Sequence, residues 1–161
     1  MQTITLIVIG KLGQPFLQQG CAEYAKRLSA FCNFRVVELA EETIHEKSSS
    51  ENSIAKALSK EAEKIFAALP KGAELCALCI EGKSISSEEL AGYFAEKALS
   101  GSGDIALVIG SSHGLADSVK QRAAKQISMS RMTFPHQLAR LLLTEQIYRA
   151  CTINANVKYH K

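Results

Sequence analysis

A chain of 161 residues is the size of one domain and can bury a core without metal or disulfide staples. Its 47% hydrophobic and 22% charged residues match a soluble globular protein, and no run of about 18 apolar residues marks a membrane span. The net charge of +3 hides a split, −3 over residues 1–110 and +6 over residues 111–161, so the C-terminal end carries either a polyanion-binding face or a plain, solvated basic surface.

The opening "MQTITLIVIGKLG" lacks the basic segment and cleavage site of a signal peptide and reads as a strand, so a cytoplasmic protein is expected. "TITLIVIG" (3–10) is a continuous apolar run rich in β-branched residues, the mark of a strand covered on both faces. "PFLQQGCAEYAKRLSAF" (15–31) spaces Phe16, Cys21, Tyr24, Leu28 and Phe31 for a helix, with Pro15 in its first turn. "FRVVEL" (34–39) is a second strand. The acidic, serine-rich stretch 40–53 reads as a mobile loop, either a linker or a lid. Ser53 is placed to cap a helix over 54–68. "ELCALCIEG" (74–82) is a third strand ending at Gly82, and "SSEELAGYFAEKAL" (86–99) is a helix opened by serine with acids in its first turn. "DIALVIG" (104–110) is a fourth, fully apolar strand. Residues 115–126 are helical, 127–134 form a short strand and loop, and 136–151 the last helix.

Strands alternating with helices, most of them apolar on both faces, predict a single α/β domain built on a parallel sheet. Ligands of such sheets bind beyond the carboxyl ends of the strands. Those ends are 78–83, 110–114 and 129–135. Five scattered cysteines make a poor disulfide framework. In "CALC" (76–79), residues three apart on a strand face opposite ways, so Cys76 and Cys79 read as core residues and no metal site is expected. His45, His113, His136 and His160 have no zinc spacing with any cysteine. A dinucleotide glycine fingerprint, a P-loop and a serine-hydrolase elbow are all missing.

What remains is "VIGSSHGL" (108–115) and "SMSRMTFPHQLARLLLTEQIYRA" (128–150). Gly110 allows close backbone approach to a ligand. The loop 129–134 offers backbone donors and acceptors with the soft side chains Met129 and Met132, a surface able to grip an adenine. In the helix that follows, Leu138, Leu141, Leu142 and Tyr148 fall on one arc, and Ala139, Leu143, Ile147 and Ala150 on another. A helix with a single buried stripe needs only one arc. Two arcs mean either a central helix inside one domain or a helix shared with a twin subunit.

"LCIEGK" (78–83), "VIGSSHGL" (108–115), the T-F-P-H-Q…E-Q-x-Y-R-A block (133–150) and the terminal "YHK" (159–161) resemble the SPOUT-class methyltransferases of large-subunit ribosomal RNA. The resemblance runs over the whole chain and is nearest to the small single-domain type that methylates N3 of a pseudouridine in 23S rRNA. It implies an α/β knot with a deep C-terminal trefoil, at odds with the general rule against knotted chains. It implies S-adenosylmethionine as cofactor, contacted by Leu78, Gly110 and the run Met129, Ser130, Arg131, Met132, Thr133 and Phe134. It also implies a homodimer through the last helix, with the RNA site completed across the interface, and the assembled ribosome as substrate. One departure is Ser111, where the family often has a second glycine; a negative φ would accommodate it.

Methyl transfer to N3 requires loss of an imide proton, helped by a base or nearby positive charge. The candidates are His136, Arg149, Tyr159 and His160. Tyr159 and His160 sit on a terminal tail, a poor place for core packing. Arg149 can pair with phosphate or with Glu145, four residues back, and His136 follows Pro135 at a helix start, where a structural role also fits. Lys158, Lys161, Arg131 and Arg140 are candidates for phosphate contact. Two other functions fit parts of the pattern: a non-catalytic RNA- or ribosome-binding factor, and a nucleotide-cofactor oxidoreductase, against which the missing glycine fingerprint counts.

Overall fold

The first strand explains the architecture. In β1 (Thr3–Ile9) every residue from Ile4 onward is buried, and strand alternation sends Ile4, Leu6 and Val8 to one face and Ile7 and Ile9 to the other. A strand apolar on both sides needs helices on both sides. The computed structural model, which describes residues 1–44, 50–101 and 103–161, supplies them. The elements that follow are α1 (Pro15–Leu28), β2 (Asn33–Leu39), α2 (Glu51–Ala68), β3 (Glu74–Ser84), α3 (Ser87–Leu99), β4 (Ile105–Ile109), α4 (Asp117–Arg122), β5 (Lys125–Ser128) and α5 (His136–Asn154). The five strands form one parallel sheet in the order β2-β1-β4-β3-β5. Leu28 of α1, Leu90 and Phe94 of α3, and Leu143, Ile147 and Ala150 of α5 pack on one face of it; Ala62 and Ile65 of α2 and Val119 of α4 pack on the other. No helix among the described residues is long and apolar enough to cross a membrane.

Several elements depart from their expected bounds. Ser50, not Ser53, caps α2: its hydroxyl accepts from the Ser53 backbone N–H, so Ser53 already lies in the first turn. The expected loop 40–53 is therefore shorter, and residues 45–49, with His45, lie outside the described residues. The helix expected over 115–126 shrinks to 117–122, because Ala124 N–H donates to the Leu75 carbonyl and Lys125 pairs with Cys76, drawing the chain into β5. β3 does not stop at Gly82. It runs to Ser84 through a register shift between Leu78 and Lys83, where a Cβ on Gly82 would lie 2.6 Å from the Ile127 carbonyl carbon. Cys76 is a core residue, as expected, and burial pushes its thiol up to about 12. Cys79 is only half-buried, and its Sγ lies 3.7 Å from Gln126 Oε1. Among the described residues no group of three or more potential ligands could hold a metal.

The two arcs of α5 do different jobs. Leu143, Ile147 and Ala150 are at most 2% exposed and face the sheet. On the other arc, Leu141 packs on Gly20 of α1, where a Cβ would meet its methyl at 2.8 Å, and Tyr148 joins the rings of Tyr24, Phe31 and Tyr159. α5 thus lies between α1 and α3 within its own chain.

Candidate active site

Beyond β3 and β5 a cavity of about 460 Å³ opens between α3 and α5. That is within the roughly 300–1,000 Å³ usual for small-molecule sites. Leu78, Leu107, Ile127, Met129, Phe134 and Leu142 give it apolar walls; Ser86, Ser87, Ser130 and Gln146 bring polar groups. Ser86 caps α3 in a reciprocal capping box with Glu89, which fixes the wall on that side.

The loop after β5 is set by its own serines. The buried Ser128 hydroxyl donates to the Ser130 carbonyl at 3.0 Å, and Ser130 Oγ accepts from the Met132 N–H at 2.9 Å. This turn brings Met129, Ser130 and Phe134 to the cavity and leaves Arg131, Met132 and Thr133 exposed, Met132 by 68%. Of the eight expected cofactor contacts, Leu78, Met129, Ser130 and Phe134 line this cavity; Gly110 does not. Gly110 has its own backbone reason. The next residues turn sharply, Gly114 N–H bonds to the Ser111 carbonyl, and a Cβ on Gly110 would run into the Gly114 carbonyl. Ser111 keeps a negative φ, as its accommodation required, and its buried hydroxyl donates to Glu61 Oε1 at 3.0 Å. Glu61 Oε2 in turn accepts from the Glu42 N–H, so one buried carboxylate ties the turn after β4 to the segment after β2. That pair lay beyond sequence reasoning: its partners are 50 residues apart.

At the C-terminal end, α5 stops in a Schellman motif. Asn156 takes the left-handed conformation (φ 54°), its N–H bonds to the Ile153 carbonyl, and Val157 N–H bonds to the Thr152 carbonyl. The chain is turned back, and Tyr159 and His160 come to lie over the last turns of α5. Glu145 is the hub there. Its Oε1 accepts from Arg149 Nε at 3.0 Å, Arg149 Nη2 at 2.6 Å and Tyr159 OH at 2.9 Å. The Arg149 guanidinium also lies over the Tyr159 ring, 4.7 Å from its centre. His160 Nδ1 is 3.2 Å from Arg149 Nη1, and its Nε2 is 2.7 Å from Glu88. An arginine can only donate, so Nδ1 accepts and the ring proton sits on Nε2, facing Glu88. Burial, followed by the hydrogen bonds to Tyr24 and Glu145, raises the Tyr159 phenol well above its ordinary range. The hydrogen bond from His160 holds the exposed Glu88 carboxyl below the usual range.

Arg149, Tyr159 and His160, three of the four expected catalytic residues, therefore form one cluster. His136 is elsewhere. It lines a crevice of about 10 Å³ with Gly10, Lys11, Gly110, Gln137 and Arg140, thirteen residues and about 20 Å back along α5. Arg140, expected as a phosphate contact, is instead paired with Glu38 at 2.7 Å and only 12% exposed. Arg131, Lys158 and Lys161 are exposed.

A family model described as predicted SPOUT methyltransferase matches residues 1–160. The chain is 46% identical to the ribosomal RNA large subunit methyltransferase H of Lactococcus lactis subsp. cremoris over 159 residues, covering 98% of this chain and 99% of that protein. It is also 46% identical to the protein of the same name from Bacillus pumilus, with the same coverage. A solved structure of a probable methylase family protein from Haemophilus influenzae Rd KW20 aligns with 99% of this chain and 70% of its own, at 18% identity and a TM-score of 0.49, and adds nothing to the assignment. The chain belongs to the SPOUT methyltransferase family: it is a methyltransferase, and its methyl donor is S-adenosylmethionine.

Proposed function

We propose that the protein methylates N3 of a pseudouridine in 23S ribosomal RNA, in the helix 69 region, working in the cytoplasm as a homodimer on the assembled ribosome. The relatives' name supports large-subunit ribosomal RNA as substrate. The 133–150 block and terminal Tyr-His-Lys support the finer assignment by resemblance. The observation that carries the reading is a juxtaposition on α5: a cavity of small-molecule size and the Arg149–Tyr159–His160 cluster sit side by side, with Gln146 on the cavity wall and Glu145 in the cluster.

Bound S-adenosylmethionine supplies an electrophilic methyl group, so the chain's work is alignment and control of charge. Leu78, Met129 and Phe134 would hold the donor by apolar surface that suits an adenosyl group, with Ser130 adding a polar contact. Gly110 keeps the turn after β4 closed. Arg149 stabilises the negative charge left on the base as the N3 proton departs. Tyr159, held as a neutral phenol, is a donor rather than a base. Arginine has no acceptor and Tyr159 keeps its proton, so His160 is the member of the cluster that takes the proton, at Nδ1, as Arg149 Nη1 turns from that nitrogen toward the base. Exposed Arg131, Lys158 and Lys161 contact phosphate and position the RNA without reading sequence. His136 serves the fold at the other end of α5.

A homodimer is supported by the apolar surface around the start of α1 and α5, where Phe16 is 63% exposed and Leu138 is half-buried. The deep C-terminal knot belongs to the same reading. The ribosome as substrate rests on the same resemblance. Mass mapping of 23S nucleosides from cells lacking the protein tests the assignment: the methylpseudouridine is expected to vanish, and an unchanged peak would overturn it. Equal methylation of free 23S RNA and whole ribosomes would remove the ribosome from the proposal.

A further inference from the structure

The cavity and the tail are joined by an unbroken path of hydrogen bonds. Ser87 Oγ, on the cavity wall, donates to Gln146 Oε1 at 2.6 Å. Gln146 Nε2 donates to Glu145 Oε2 at 2.8 Å. The other oxygen of Glu145 holds Arg149 and Tyr159, and Arg149 holds His160. His160 then reaches Glu88, the residue next to Ser87, and the path closes into a ring across α3 and α5. Among the described residues Gln146 is the one side chain that both lines the cavity and bonds to Glu145.

We propose that Gln146 is a positioning residue that couples occupancy of the donor cavity to the placement of the Arg149–Tyr159–His160 cluster, acting through Glu145. The inference rests on the reading of the cavity as the donor site and of the cluster as the base-facing group. The amide is suited to the task because it is a donor and an acceptor at once. Its acceptor faces the cavity wall at Ser87 and its donor faces the hub carboxylate, so a shift at one end changes the orientation offered at the other. Anything in the cavity that pulls on Ser87 or Gln146 moves Glu145, and the tail hangs from Glu145. Such coupling is reciprocal: a docked tail must also favour an occupied cavity.

The test uses the full-length protein, S-adenosylmethionine as the probe, and three variants: Gln146→Leu, which keeps the bulk and loses the amide, Ser87→Ala, and the two combined. Donor binding is measured by calorimetry and tail order by hydrogen exchange of residues 155–161, at donor concentrations that saturate each variant. In the native protein the donor is expected to slow tail exchange about fivefold or more, the range of ordinary coupling between sites. In Gln146→Leu the donor still binds and the tail no longer responds. Under the same saturating conditions the variant's methyl transfer falls in kcat about fivefold to tenfold, with little change in the KM for RNA. The double variant is expected to be no worse than Gln146→Leu alone, because both changes cut one path. A native tail indifferent to bound donor, a Gln146→Leu tail that responds like the native one, or strictly additive losses in the double variant would each overturn the coupling. Calorimetry showing no donor binding to the native protein would instead overturn the reading of the cavity, a result the exchange data on the tail cannot mimic.

Discussion

The two ends of α5 are built from similar materials and come out differently. At the N-terminal end, His136, Gln137 and Arg140 meet the carboxyl ends of β1 and β4. The connections from these neighbouring strands run to opposite sides, β1 to β2 and β4 to β5, which makes this the place where open parallel sheets usually bind ligands. Here it is shut. Gln137 accepts from the Gly13 N–H, Arg140 pairs with Glu38, and space of about 10 Å³ is left. Farther along the helix, beside Leu142, Leu143 and Gln146, α3 and the serine-set loop enclose about 460 Å³. Strand order says where a crevice starts; the side chains decide whether it stays open.

The largest effects should come from the backbone contacts under both ends. Gly110→Ala at the closed end and Gly82→Ala near the open end each drive a Cβ into neighbouring backbone, which cannot rotate away. Each should cost about 3 kcal/mol or more of stability, beyond ordinary overpacking of flexible side chains. Gly92→Ala in α3 meets nothing within 4 Å and should gain about 0.5–1 kcal/mol by helix propensity alone. Urea denaturation of the three variants checks the contrast, and a Gly110→Ala protein as stable as the parent would mean the turn after β4 is looser than described.

Arg149→Ala and His136→Ala separate the ends by chemistry. Loss of the Arg149 charge should lower kcat about 100-fold, the usual effect of removing one transition-state donor. Loss of His136 should leave kcat within about threefold, since it is about 20 Å away along the helix. Steady-state kinetics on purified ribosomes decides it, and equal losses would erase the distinction between the ends.

The same contrast explains what could be read from sequence. The both-face burial of β1 was written in Thr3–Ile9, and the two arcs of α5 in its leucines, because a local pattern reports a local face. The need to remove the N3 proton put Arg149, Tyr159 and His160 together with His136 among the candidates, and the fold brings the first three together. The turn that makes this possible was a readable signal left unused: Asn156 follows the helix at the position where asparagine tolerates a left-handed backbone. Other features had no local signal. The Ser111–Glu61 bond spans 50 residues, the early end of α4 is imposed by pairing with β3, and the bulge at Gly82 exists only because β5 lies alongside. Arg140 reads as a phosphate contact because a linear pattern cannot show that Glu38 pairs with it, and His136, at a helix start where a structural role fits, lies against the β1 loop.

Smaller effects sharpen the open end. Asn156→Gly should leave stability almost unchanged, whereas Asn156→Ala keeps a Cβ in the left-handed region without the polar side chain that eases it there and should cost about 1 kcal/mol. The expected accompaniment is faster hydrogen exchange in the tail, because the turn is what returns Tyr159 and His160 to α5. Tail protection identical in the two variants would mean that Glu145 alone holds the tail.

The finest test concerns the Tyr159 proton. Burial, and then hydrogen bonds to Tyr24 and Glu145, raise this phenol above its unfolded value of about 10. A raised folded value means the native state keeps a proton that the unfolded chain gives up. The contribution to stability is therefore complete below about pH 10 and is lost as pH climbs through the raised value. Ultraviolet titration should show one late-ionising phenol fewer in Tyr159→Phe than in the parent, and the alkaline decline in stability should be shallower in that variant. If Tyr159 ionised near the ordinary tyrosine range, it would be available as a base closer to neutrality. His160 would then lose its place as the proton acceptor, while the geometry that gathers the cluster at this end of α5 would stand.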